Sequence, residues 1–138
     1  MSMPRSKEAR LFYRAAVQRF EDADVLRSQG RNTGAVYLAG YAVECNLKAL
    51  VLAHVSSRLK EQILSEFHGN RAHNLDWLNF MCREKARLVI PRNVNHQMLQ
   101  VAAWSTNLRY ESRTLSNQET EDFFRVVLVI VNWAEGRM

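Results

Sequence analysis

One run of this chain limits its fold more than any other: GAVYLAGYAVECNLKALVLAH, residues 34–54. Apolar side chains recur on nearly every side of its helical period, so a helix built from it has to be enclosed by other elements. The run is also about long enough to cross a bilayer. Glu44 and Lys48 near its middle argue against that, since each costs roughly 3 kcal/mol at the centre of a membrane helix. The run therefore predicts the central helix of a packed core, with no membrane partner.

The same two charges raise a second question, because a charge that leaves water unpaired is costly. Glu44 and Lys48 stand at i and i+4, the order that favours an ion pair on one helix face. Tyr37 and Tyr41 continue that line, so Tyr37, Tyr41, Glu44 and Lys48 fall within roughly 60° of arc, with Asn46 opposite. Two readings fit this polar seam. It is a structural pair near the edge of a bundle with two half-buried tyrosines, or it lines a groove or a subunit interface and binds there.

The rest of the chain has few turn signals: 5 Gly and 2 Pro in 138 residues favour long helices with short connections. A first helix is predicted over 6–28, with Ala9, Phe12, Ala16, Phe20 and Ala23 as its stripe and Gly30 as its stop. Asn32 or Thr33 then caps the central helix. Ser56 or Ser57 opens a short helix to Phe67. Asn74 caps another over 75–88, with Leu75, Leu78, Met81 and Cys82 inward. Pro91 breaks that helix, and a further one follows over 93–105, with Val94, Met98, Val101 and Ala102 inward. SNQE, residues 116–119, is a capping box that opens a last helix to about Trp133, despite the strand propensity of VVLVIV. These elements predict an all-α fold, an antiparallel bundle of about five to six helices in one domain over 1–138.

Apolar residues are 47% and charged residues 24%, which excludes wholesale disorder. The first twenty residues contain no apolar run of signal-peptide length. Cys45 and Cys82 form no Cys-x-x-Cys pair and read as buried, reduced thiols, so a cytoplasmic protein is expected. Net charge is +5, and only four of the 19 basic residues are lysines. Arginine suits bidentate recognition of phosphate, which points to RNA or a nucleotide as partner. Zinc-ligand spacing, a Gly-rich phosphate loop and a nucleophile elbow are all missing from the sequence, so no metal and no cofactor is expected.

GRNTGAVYLAGYAVECNLKALVL, followed by HNLDWL and then by a Trp and NLRY, resembles the HEPN family (higher eukaryotes and prokaryotes nucleotide-binding) over about residues 9–110. The resemblance implies a small prokaryotic helical bundle, a homodimer, and a minimal nucleotidyltransferase as possible protein partner in a toxin–antitoxin or defence system. Many members are metal-independent endoribonucleases whose signature is an Arg, a polar residue and a His, with about four to six positions between Arg and His. In such a site His moves the proton of the ribose 2′-hydroxyl and Arg neutralises the growing phosphate charge.

Of His54, His68, His73 and His96, none has an Arg at that distance. The nearest approach is RNVNH, where three residues separate Arg92 from His96 and Asn93 supplies the polar position. The resemblance thus names Arg92 and His96 as catalytic candidates, with Glu44 or Lys48 as the assisting polar residue from an earlier helix. His73, just before the Asn74 cap, and Arg109 and Tyr110, on the polar connection TNLRYESRTLS, are the further binding candidates beside Tyr37, Tyr41 and Lys48. Three functions stay open: a binding module without strong catalysis, a ribonuclease using Arg92 and His96, and a structural module that only dimerises.

Overall fold

Six α-helices and two short 3-10 turns organise the computed structural model of the chain, which describes residues 3–138; no strand occurs among them. Helix α1 (Lys7–Ser28) starts where the Ser6 hydroxyl accepts from the Ala9 amide at 3.0 Å. It stops at Gly30, whose φ of 73° turns the chain back so that the Gly30 and Arg31 amides reach the Arg27 and Leu26 carbonyls. Helix α2 (Asn32–His54) then folds back along α1. Next come α3 (Ser57–Glu66), a 3-10 turn (Asn70–His73), α4 (Leu75–Glu84), α5 (Arg92–Val101), a second 3-10 turn (Thr106–Tyr110) and α6 (Asn117–Glu135).

The capping box forms as the sequence requires. Ser116 Oγ accepts from the Glu119 amide at 3.0 Å, and Glu119 Oε2 accepts from the Ser116 amide at 2.9 Å. The VVLVIV run is helical in consequence. Helix α6 lies antiparallel to α1, since Tyr13 meets Glu135 at one end and Arg27 meets Glu121 at the other.

Helix α2 is the centre, packed by α1, α4, α6 and the second 3-10 turn, with every residue over 42–52 buried. By length and composition it passes as a membrane span, yet 83% of its most apolar window is buried against the other helices. Leu47, Leu50, Leu52, Leu78, Met98 and Ile130 are fully enclosed, each contributing about 1.5–3 kcal/mol relative to exposure.

Several local expectations are corrected. Asn32 and Thr33 do not cap α2. The Asn32 amide donates to the Leu115 carbonyl and Asn117 Oδ1, both at 2.9 Å, and Thr33 Oγ1 donates to the Arg113 carbonyl and accepts from the Leu115 amide. Side chains committed to a distant loop are not free for their own helix end. Helix α4 ends four residues early, at Glu84, because Arg87 takes a left-handed φ of 58° and Leu88 bonds back to Cys82. That conformation costs a non-glycine residue on the order of 1 kcal/mol. Helix α5 begins at Arg92, directly after Pro91, and ends at Val101. The polar connection expected after it holds the second 3-10 turn.

Candidate functional site

The Glu44–Lys48 pair does not lie at the edge of the bundle: Glu44 is 2% exposed and Lys48 is 5% exposed. Lys48 Nζ donates to Glu44 Oε2 at 2.8 Å and lies 5.7 and 5.5 Å from the ring centres of Phe12 and Phe67. Those aromatic faces offset part of the lost hydration of the ammonium. Lys48 is therefore turned to Glu44 and the core rather than to a ligand.

The other partner of Glu44 comes from outside the helix. His73 Nδ1 sits 3.1 Å from Oε1 and 3.2 Å from Oε2. A carboxylate only accepts, so Nδ1 carries a proton, and when the ring is neutral Nε2 is its acceptor. The 3-10 turn Asn70–His73 brings the imidazole to this position. The next residue, Asn74, anchors it by accepting from the Trp77 amide at 3.0 Å as the cap of α4. The His73 side chain is 42% exposed, so a half-open imidazole is held by a buried carboxylate.

An aromatic row runs from His73 along α2. Tyr41 meets the imidazole edge-on at 6.1 Å, Tyr37 meets Tyr41 at 5.4 Å, and Trp104 stacks on Tyr37 at 6.2 Å while meeting Tyr41 edge-on at 5.7 Å. Gly40 makes this possible, because a Cβ there would overlap the Trp104 indole. The Tyr41 phenol is held above its ordinary value, first by burial and then by the Glu44 charge. At the far end, the second 3-10 turn carries Arg109, whose pKa is raised first by Tyr110 and, less, by Tyr37. Its guanidinium lies 5.0 Å from the centre of the Tyr110 ring, and Tyr110 itself is 74% exposed.

A cleft of about 260 Å³ opens beside this row, between the turn Asn70–His73 and residues 102–106, with His73 and Trp104 among its walls. Thus Tyr37, Tyr41, Glu44, His73 and Arg109 come together, with Lys48 behind them and Tyr110 on the outer side. Arg92 and His96 do not join them. Both are exposed on α5, one turn apart, and make no hydrogen bond or ion pair with Glu44, while Val94, Met98 and Val101 face inward. Arg92 is the first helical residue, so no loop lengthens its separation from His96. Arg113 is bonded to Glu119 at 3.5 Å.

Trp104 is the wall that sequence reasoning did not single out. Its signal was Gly40, since a glycine inside an apolar helix marks a close approach. Among the described residues no group of His, Cys, Asp and Glu is arranged to hold a metal ion. Both cysteines are free and buried, and burial pushes Cys45 to about 11 and Cys82 to about 12, so neither is a nucleophile. Neither a family model, nor a curated protein, nor a solved structure matches this chain.

Proposed function

We propose that the chain is a HEPN-like helical module that binds RNA or a nucleotide, acts as a cytoplasmic homodimer, and serves as the partner of a minimal nucleotidyltransferase. One observation carries the binding reading: the Glu44-held imidazole of His73 stands at one end of an aromatic row whose other end is the Arg109 guanidinium. Aromatic faces accept stacked bases and arginine accepts phosphate, which together suit a single strand. The excess of arginine in a chain of net charge +5 adds a favourable field.

Titration of a single-stranded RNA by fluorescence anisotropy over a range of salt tests the reading. Binding should weaken with salt by about 0.7 in log–log slope for each phosphate neutralised, and Arg109→Ala should lower the slope by about that amount. No binding at low salt, or binding indifferent to salt, would sink it. Light scattering at micromolar concentration tests the homodimer, which a monomer would exclude.

A second reading rests on the outer face of α5. Arg92 and His96 are both exposed and one turn apart, free to meet a second copy. A ribonuclease site shared across two copies would use them for the proton and the phosphate charge. Metal-free cleavage of a mixed RNA pool that vanishes in both Arg92→Ala and His96→Ala would replace the binding-only reading.

A further inference from the structure

The cleft beside His73 has a polarity that the binding reading leaves unused. Glu44 receives the Nδ1 proton from below, so neutral His73 turns an acceptor, Nε2, away from the carboxylate. That nitrogen has no hydrogen-bond partner among the described residues, and its ring forms part of the cleft wall. Asn74 and Ser105 already spend their side-chain oxygens on the amides of Trp77 and Asn107. Asn70 and Thr106 have no such commitment and also line the cleft. No carboxylate and no basic side chain other than His73 lines it.

Such a wall discriminates against the phosphodiester of a strand, which only accepts at neutral pH and has no guanidinium or ammonium to meet there. It suits a neutral, planar group that donates to Nε2 and exchanges hydrogen bonds with an amide. The volume, about 260 Å³, lies just below the range of roughly 300–1,000 Å³ of sites for drug-sized ligands and is enough for one base. We infer that the cleft is a pocket for one unpaired nucleobase, read by hydrogen bonding from its edge to His73 Nε2, while the phosphates lie towards Arg109. The inference rests on the RNA- or nucleotide-binding reading and adds the subsite and the residue that reads the base. Glu44 is a positioning residue in it, fixing the tautomer, and touches no ligand.

The test uses nucleosides, which carry the base without phosphate. The ring-nitrogen NMR signals of His73 are followed in the full-length protein during titration with adenosine, cytidine, guanosine and uridine, with inorganic phosphate as the contrast and a single-stranded RNA as the reference. At least one nucleoside should shift the Nε2 signal saturably while Nδ1 keeps its attached proton, and phosphate should leave both in place. His73→Asn keeps an amide near the Nδ1 position but lacks a group at Nε2, and should weaken nucleoside binding roughly tenfold, the size of one lost hydrogen bond. His73→Gln, which reaches the Nε2 position, should retain more of it. Unfolding curves of both variants separate a local loss from a loss of fold. RNA binding without any response of His73 to nucleosides overturns the base pocket and leaves the binding reading standing. A response to phosphate equal to that of nucleosides overturns it in favour of an anion site. Failure of RNA and nucleosides alike removes both.

Discussion

Trp104 lays its indole over Gly40, in the space that a Cβ on α2 would fill. The contact seats Trp104 against Tyr37 and Tyr41 and makes it a wall of the cleft. Gly40→Ala should cost about 1–3 kcal/mol through overpacking and move the indole from its neighbours. Urea unfolding gives the loss and near-UV circular dichroism reports the ring. An unchanged midpoint with an intact aromatic signal would show that the indole moves aside freely.

The buried Glu44–Lys48 pair makes a second prediction. Glu44→Ala leaves an ammonium inside the core and deprives His73 Nδ1 of its acceptor, so about 3–5 kcal/mol should be lost. Replacing both charges together, Glu44→Gln with Lys48→Met, should cost less than the sum of the single changes, because no unpaired charge is left. Additive losses in a double-mutant cycle would mean that the two side chains do not depend on each other.

The thiols predict a one-sided pH response. Burial raises Cys45 from 9.0 to about 11 and Cys82 from 9.0 to about 12. Between those values the folded chain keeps protons that the unfolded chain releases, so stability is full below pH 9 and falls as pH rises through 11. A thiol reagent at neutral pH should label both cysteines only on unfolding. Rapid labelling of the native protein would place one of them nearer the surface.

The start of α6 predicts the opposite slope. Glu119 is held below its ordinary value, first by the Ser116 backbone amide, which outweighs the opposing desolvation, and then by Arg113. Its contribution is present above pH 4.5 and fades as pH falls through the lowered value. Ser116→Ala removes the reciprocal bond and should cost about 1 kcal/mol. A variant as stable as the parent would show that Glu119 alone holds the helix end.

Two caps were legible in the sequence because their hydrogen bonds close within a few residues, Asn74 to Trp77 and Ser116 to Glu119, whereas Ser6, read as the first helical residue, is the cap of α1. The seam Tyr37–Tyr41–Glu44–Lys48 was legible from spacing. Its depth was not, because Phe12, Phe67 and His73 cover it from other parts of the chain, and nothing near Glu44 announces them. HNLDWL looked like a residue beside a cap, whereas His73 has its partner 29 positions away. Asn32 and Thr33 failed as caps for the same reason, since their partners lie 83 and 80 residues on.

That last pair of residues has a mechanical consequence. Four hydrogen bonds tie the first turn of α2 to residues 113–117, and the Arg27–Glu121 and Tyr13–Glu135 contacts fasten α6 to α1 at two levels. A slide of α6 by one helical turn, about 5.4 Å, would break the Asn32–Asn117, Arg27–Glu121 and Tyr13–Glu135 contacts together. Helices α1, α2 and α6 thus form a fixed chassis. Any opening that admits a ligand falls to the other half, where the turn Asn70–His73 and residues 102–106 close the cleft with far fewer ties. Amide hydrogen exchange should trace that division, slow along α2 and α6 and fast at the two lips beside His73 and Trp104.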